Sequence, residues 1–121
     1  MKIAIDLDGT ISEYPDFFKL FTKTMQKAGC RIYIVTDRPQ GSEEQVAEEL
    51  KNYGITYDFI EITSDKARYI LKKNINVLYD DTDEYFLGLP EKIAVFKIRQ
   101  KYNFDFKLKK WLYNKKTGRS T

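Results

Sequence analysis

The stretch Ile3-Ala4-Ile5-Asp6-Leu7-Asp8-Gly9-Thr10 decides how the rest of this chain is read. Residues 2–7 form a short apolar run closed by Asp8-Gly9, the pattern of a buried strand followed by a turn. In extended chain, residues two apart point the same way. Asp6 and Asp8 therefore face one site while Leu7 faces the core, and Gly9 lets the chain turn sharply, with positive φ if required.

Outward from that stretch, strand and helix patterns alternate. Phe17, Phe18, Phe21, Met25 and Ala28 recur at helical spacing after Pro15, which suits a first-turn position, and Gly29 stops the helix. Residues 31–36 hold four consecutive β-formers, Ile32, Tyr33, Ile34 and Val35, as in a strand buried on both faces. Ser42 and Gln45 predict a capping box opening a helix with Val46, Ala47, Leu50 and Tyr53 on one face, ended by Gly54. A third strand is predicted over 58–63, and a short helix over 64–73 with Ala67, Ile70 and Leu71 inward. A fourth strand over 76–80 ends in acids, and a fifth spans 92–98. Beyond 98 two patterns compete. Phe104, Phe106 and Leu108 alternate as in extended chain, whereas Leu108, Trp111 and Leu112 fit a helix. The prediction is an α/β fold: a single Rossmann-like open sheet, mainly parallel, with helices on both faces. In such sheets ligands bind beyond the carboxyl ends of the strands.

Composition narrows the chemistry. The 121 residues include no histidine and a single cysteine. A Ser-His-Asp triad, a His-bearing zinc site and an imidazole proton shuttle are excluded, as are an internal disulfide and a CxxC pair. A Cys-x5-Arg phosphatase loop from Cys30 would need Arg where Thr36 stands. Acid-base or nucleophilic work then falls to carboxylates, lysine, tyrosine or hydroxyls, with a metal to assist. With 42% hydrophobic residues the chain is expected to fold as one domain. With no signal-peptide pattern and no long apolar run, it is expected to be soluble and cytoplasmic, away from the membrane.

The net charge of +3 is unevenly spread: residues 97–121 carry nine basic side chains against Asp105 alone. Phe104, Phe106, Trp111 and Tyr113 are interleaved among those lysines, which include Lys116, with Arg119 near the end. Such a tail can track a phosphate backbone and stack bases. The plain alternative is a solvated hairpin whose lysines guard an edge strand.

Read only at their ends, the strands present Asp6-Leu7-Asp8-Gly9-Thr10, Thr36-Asp37-Arg38 and Asp80-Asp81, with Lys66 in the first turn of the helix after the third strand. Converging carboxylates repel in a partly buried crevice. A hard divalent cation compensates them, and Mg²⁺ prefers a few carboxylates with waters and phosphate oxygens. Thr36 adds a hydroxyl donor and Lys66 a point charge, the groups that hold and neutralise a phosphoryl oxygen. Singly, each has a duller reading: a turn pair, a strand-end threonine, a surface lysine, and an acidic pair capping a helix begun by Thr82.

Over residues 1–98 the chain resembles the haloacid dehalogenase superfamily of phosphohydrolases. The apolar run into D-x-D-G-T is Ile3 to Thr10; the strand ending in Ser or Thr is Ile34-Val35-Thr36; the lysine at a helix start is best matched by Lys66, nearer the strand end than Lys72 or Lys73; the acidic pair ending a strand is Asp80-Asp81. The resemblance implies an aspartyl-phosphate mechanism. Asp6 would be the nucleophile and Asp8 the general acid and base. Mg²⁺ would sit on the Asp6 carboxylate, the Asp8 main-chain carbonyl and one of the acidic pair, taken as Asp81, with Asp80 orienting its neighbours or Lys66. Phosphate would be held by Thr36, Lys66 and the Gly9-Thr10 turn. Family dehalogenases lack an acid where Asp8 stands, so phosphate-ester chemistry is favoured.

Neither the interval from Asp8 to Thr36 nor that from Thr36 to Lys66 has room for a cap domain, so the sequence resembles the capless type, with residues 99–121 a basic aromatic extension packed on the same domain. An open site suits an exposed phosphate, and the basic tail tilts the expectation toward a nucleotide or nucleic-acid end. Asp37 and Arg38 are candidates for contacting the leaving group; the plain alternative pairs them with each other. Two other readings compete. A receiver-type phosphoacceptor domain would place its acidic pair after the first strand, not at 80–81. A non-enzymatic nucleic-acid-binding protein on the same scaffold would have lost Asp6 or Asp8, and both are present.

Overall fold

The computed structural model describes residues 1–115; Lys116 and Arg119 of the basic tail lie outside the described residues. Five strands, β1 (Lys2–Ile5), β2 (Arg31–Thr36), β3 (Phe59–Ile62), β4 (Val77–Asp80) and β5 (Ala94–Lys97), form one sheet in the order β3-β2-β1-β4-β5. Every neighbouring pair in it is parallel. Three helices connect them: α1 (Pro15–Lys27), α2 (Glu43–Tyr53) and α3 (Lys66–Lys72).

Strand alternation separates two cores. Ile3, Ile5, Ile32 and Ile34 pack with Phe18 of α1 and Val46 and Leu50 of α2. Their chain neighbours Ala4, Tyr33 and Val35 pack with Ile70 of α3, Leu78 and Ile93 on the opposite face. Helices therefore cover both faces, as the consecutive apolar residues of β2 predict for a strand without a wet side. Between β1 and β2 the only helix of any length is α1, and between β2 and β3 it is α2; no cap domain is inserted. Among the described residues no helix is long and apolar enough to cross a membrane.

Several local readings change. β1 ends at Ile5, because the chain winds into a tight turn over Leu7–Ile11 in which Gly9 has φ 82°. The Ser42 capping box does not form: the Ser42 hydroxyl donates to the Pro39 carbonyl at 2.6 Å, and its oxygen accepts no N–H from the helix end. Gly54 does end α2, in the left-handed region at φ 75°, with Ile55 N–H bonded back to the Leu50 carbonyl. Leu71 points outward at 41% exposure, since a seven-residue helix buries one narrow stripe, centred on Ile70 and Lys66. The segment after β5 is extended: β6 (Phe104–Asp105) pairs antiparallel with β7 (Lys110–Trp111). Asp105 turns the hairpin by accepting the N–H groups of Lys107 and Leu108, and Lys109 sits at φ 56°.

Ile34 is fully buried at the centre of the larger core. Ile34→Ala is expected to lower unfolding free energy by about 2–5 kcal/mol, read from urea denaturation, because methylenes are lost and a cavity is left.

Candidate active site

Strand order reverses at β1, with β2 and β3 to one side and β4 and β5 to the other. Crevices form at the carboxyl ends of strands where such a reversal occurs. The candidate residues lie there. Asp6 directly follows β1, and its N–H bonds to the Tyr79 carbonyl at 3.0 Å, which fixes it beside β4. Asp80 is the last residue of β4. Lys66, the first residue of α3, is 1% exposed and donates to Asp6 Oδ1 at 2.9 Å and Asp80 Oδ2 at 2.7 Å. Its ammonium also lies 4.1 Å from the centre of the Tyr85 ring. Lys72 and Lys73 are exposed and take no part.

Carboxylate oxygens of Asp6, Asp80 and Asp81, all buried, lie within 4.8 Å of one another. Lys66 pairs with two of them, Asp6 and Asp80. Burial, with the charges of Asp80 and Asp81, pushes the Asp6 carboxyl well above its usual range despite Lys66. Burial alone would lower Lys66, but Asp6 and Asp80 hold it above the ordinary lysine range, so it stays charged. Three buried carboxylates in one all-oxygen donor set fit a hard divalent cation. Asp80 is committed on both oxygens: Oδ2 to Lys66, and Oδ1 to the N–H groups of Asp81 and Thr82 at 2.7 and 3.1 Å. Asp81 is held differently, by amide side chains of Gln100 and Asn114.

Thr10 donates to Asp6 Oδ2 at 3.4 Å, and the Gly9 N–H is bonded to the Ser12 hydroxyl. Thr36 closes β2 fully buried, its hydroxyl without a hydrogen-bond partner among the described residues. A buried, unpaired hydroxyl costs about 1–3 kcal/mol and marks a place where a ligand can supply the missing bond. Asp8 takes two hydrogen bonds from the Arg38 guanidinium, at 2.9 and 2.7 Å, and Arg38 grips Glu49 with two more, at 2.6 and 2.8 Å. These bonds raise Arg38 and lower Glu49 relative to their ordinary values. Arg38 therefore does not pair with Asp37, whose carboxylate instead accepts the Tyr85 hydroxyl. An open cleft of about 450 Å³ beside Asp8 is lined by Arg38, Pro39, Ser42, Gln45 and Glu49.

Glu49, Tyr85, Gln100, Asn103 and Asn114 escape a reading of strand ends. They lie on a helix face, in the short 3₁₀ turn Asp83–Phe86 and in the C-terminal segment, and reach the site only through the fold.

Lys66→Met should lower the stability of the metal-free protein by about 3–5 kcal/mol, read from thermal or urea unfolding, because two buried carboxylates lose their counter-charge. Mg²⁺ should restore part of that loss by binding the folded state.

A family model described as haloacid dehalogenase-like hydrolase matches residues 3–119. Neither a search of curated proteins nor one of solved structures returns a match. The matched span takes in β1 through the C-terminal hairpin, and with a capless parallel sheet carrying its acids at the switch point, the chain belongs to the haloacid dehalogenase-like hydrolases.

Proposed function

We propose that this hydrolase is a Mg²⁺-dependent phosphomonoesterase that works through an aspartyl-phosphate on Asp6. The observation that carries the reading is the convergence of Asp6, Asp80 and Asp81 around a buried Lys66, beside the partnerless hydroxyl of Thr36. Asp6, the Asp8 main-chain carbonyl and Asp81 would hold the cation. Bound there, Mg²⁺ supplies charge neutralisation for a phosphoryl group and for the carboxylates around it.

The chain's own residues would do the rest. Thr36 donates its hydroxyl to a phosphoryl oxygen, and Lys66 and the Gly9-Thr10 turn complete the phosphate's surroundings. An Asp6 oxygen attacks phosphorus as the ester bond to the leaving oxygen breaks, and Asp8 delivers a proton to that oxygen. Asp8 then takes a proton from the water that cleaves the acyl-phosphate, releasing inorganic phosphate and regenerating Asp6. Asp80 orients Lys66. Asp8 can act only when Arg38 loosens its two-point grip; Glu49 gives Arg38 a second carboxylate to rest on, so the guanidinium stays paired throughout. The leaving group would occupy the cleft bounded by Arg38 and Glu49.

Without a cap the site is open to a phosphate displayed by a large partner, and a nucleotide or nucleic-acid end is the substrate class we favour. Support comes from the hairpin after β5, where Phe106, Trp111 and Tyr113 are half-exposed among Lys107, Lys109 and Lys110. Activity on a phosphorylated oligonucleotide would then fall steeply with salt, whereas activity on a small ester would not.

Phosphate release from an aryl phosphate, measured with Mg²⁺ and with EDTA, tests the reading. Release should require the metal and vanish in Asp6→Asn. Asp8→Asn should lose about 10²–10⁴-fold, with circular dichroism unchanged in both. Full activity in either variant overturns the assignment.

A further inference from the structure

Tyr85 reaches two groups that come from different parts of the fold. It stands in the 3₁₀ turn Asp83–Phe86, soon after β4, and is 7% exposed. The Lys66 ammonium lies over its ring, 4.1 Å from the centre. Its hydroxyl donates to Asp37 Oδ2. Burial, with the Asp37 carboxylate beside it, pushes that hydroxyl well above the ordinary tyrosine range, so it stays protonated and donating.

Both contacts fall beside groups of the phosphate site. Asp37 is the first residue beyond β2, just past the Thr63 N–H bond to the Thr36 carbonyl. Thr36, its chain neighbour, carries the buried hydroxyl that has no partner among the described residues. In the sheet β1 lies between β2 and β4, so the Tyr85–Asp37 bond ties together the two sides of the switch-point crevice. The segment that carries Tyr85 is also pressed against α3. A Cβ added at Gly88 would lie 2.9 Å from that of Ala67, the residue after Lys66. A phosphoryl group in transit needs its donors at a fixed separation, since a displacement of about 1 Å can cost about 10²-fold in rate.

We propose that Tyr85 is a positioning residue that sets the separation of Thr36 and Lys66. It grips the residue after the first and seats the ammonium of the second. The inference rests on the phosphoryl-transfer reading above and extends it to a residue outside the strand ends.

Turnover of an aryl phosphate by the full chain with Mg²⁺, inhibition by vanadate and by inorganic phosphate, and melting curves test it. Vanadate takes five ligands and so mimics phosphorus in transit, whereas phosphate resembles the ground state. Tyr85→Phe keeps a ring under Lys66 and removes the tie to Asp37. It should lower kcat and vanadate affinity about 10–100-fold, with KM, phosphate inhibition and melting temperature close to wild type. Asp37→Ala should reproduce that loss, and Asp37→Asn, which still offers an oxygen to the hydroxyl, should lose less. The double variant Tyr85→Phe/Asp37→Ala should be no worse than either single, since both break the same bond. Unchanged kcat and vanadate inhibition in Tyr85→Phe overturns the proposal, as does a lowered melting temperature with vanadate and phosphate weakened equally. If the wild type neither hydrolyses the ester nor binds vanadate or phosphate, the phosphatase reading itself fails and the inference falls with it.

Discussion

A lysine ammonium buried at the start of a short helix cannot exist without counter-charge, since an unpaired buried ion costs many kcal/mol. Lys66 finds that charge in Asp6 and Asp80, contributed by two different strands. Much of the molecule serves this contact. β1 and β4 must be neighbours with their carboxyl ends level, and α3 must point its first turn at the gap between them. The Asp6 N–H bonded to the Tyr79 carbonyl extends the ladder just far enough to keep the two acids side by side. Asp81 adds a third buried carboxylate to the cluster. Burial, with the charges of Asp80 and Asp81 beside it, raises the Asp6 carboxyl despite Lys66.

Identical side chains acquire different characters here through their donors. Asp80 is saturated by an ammonium and two backbone N–H groups and has become part of the framework. Asp81 is steered by neutral amides. Asp8, at the mouth of the cleft, is gripped by an arginine that also grips Glu49. Asp6 faces Lys66 with one oxygen and Thr10 with the other. Four aspartates thus have four different sets of partners without any change in covalent chemistry. Tyr85 links two parts of this arrangement, its ring over Lys66 and its hydroxyl on Asp37.

Much of the fold was legible because parallel strands buried on both faces leave an unmistakable trace. The run Ile32-Tyr33-Ile34-Val35 has no polar alternation, and it supplies both cores. Local polar patterns were less dependable. Ser42 and Gln45 have the spacing of a capping box, yet the Ser42 hydroxyl is spent on Pro39. Arg38 lies beside Asp37 in the chain, but its fork matches the geometry of Asp8 and Glu49, which only the packing of α2 brings within reach. After β5 two patterns overlapped, and the extended form prevails where Asp105 turns a hairpin whose feet are pinned near Asp81.

By itself the sequence determined that carboxylates, a lysine and a threonine stand at strand ends, and that no histidine or cysteine pair competes with them for the chemistry. Strand period and apolar runs are local properties, readable wherever they occur, and the topological rule for parallel sheets does the rest. Only the tertiary structure decided which partner each of those groups receives. A hydrogen bond is short-ranged and directional, so Gln100, Asn103 and Asn114 gain meaning only when residues 19 to 33 positions beyond Asp81 fold back onto it. The same holds for Thr36, whose missing partner is visible only once burial has removed water from its hydroxyl.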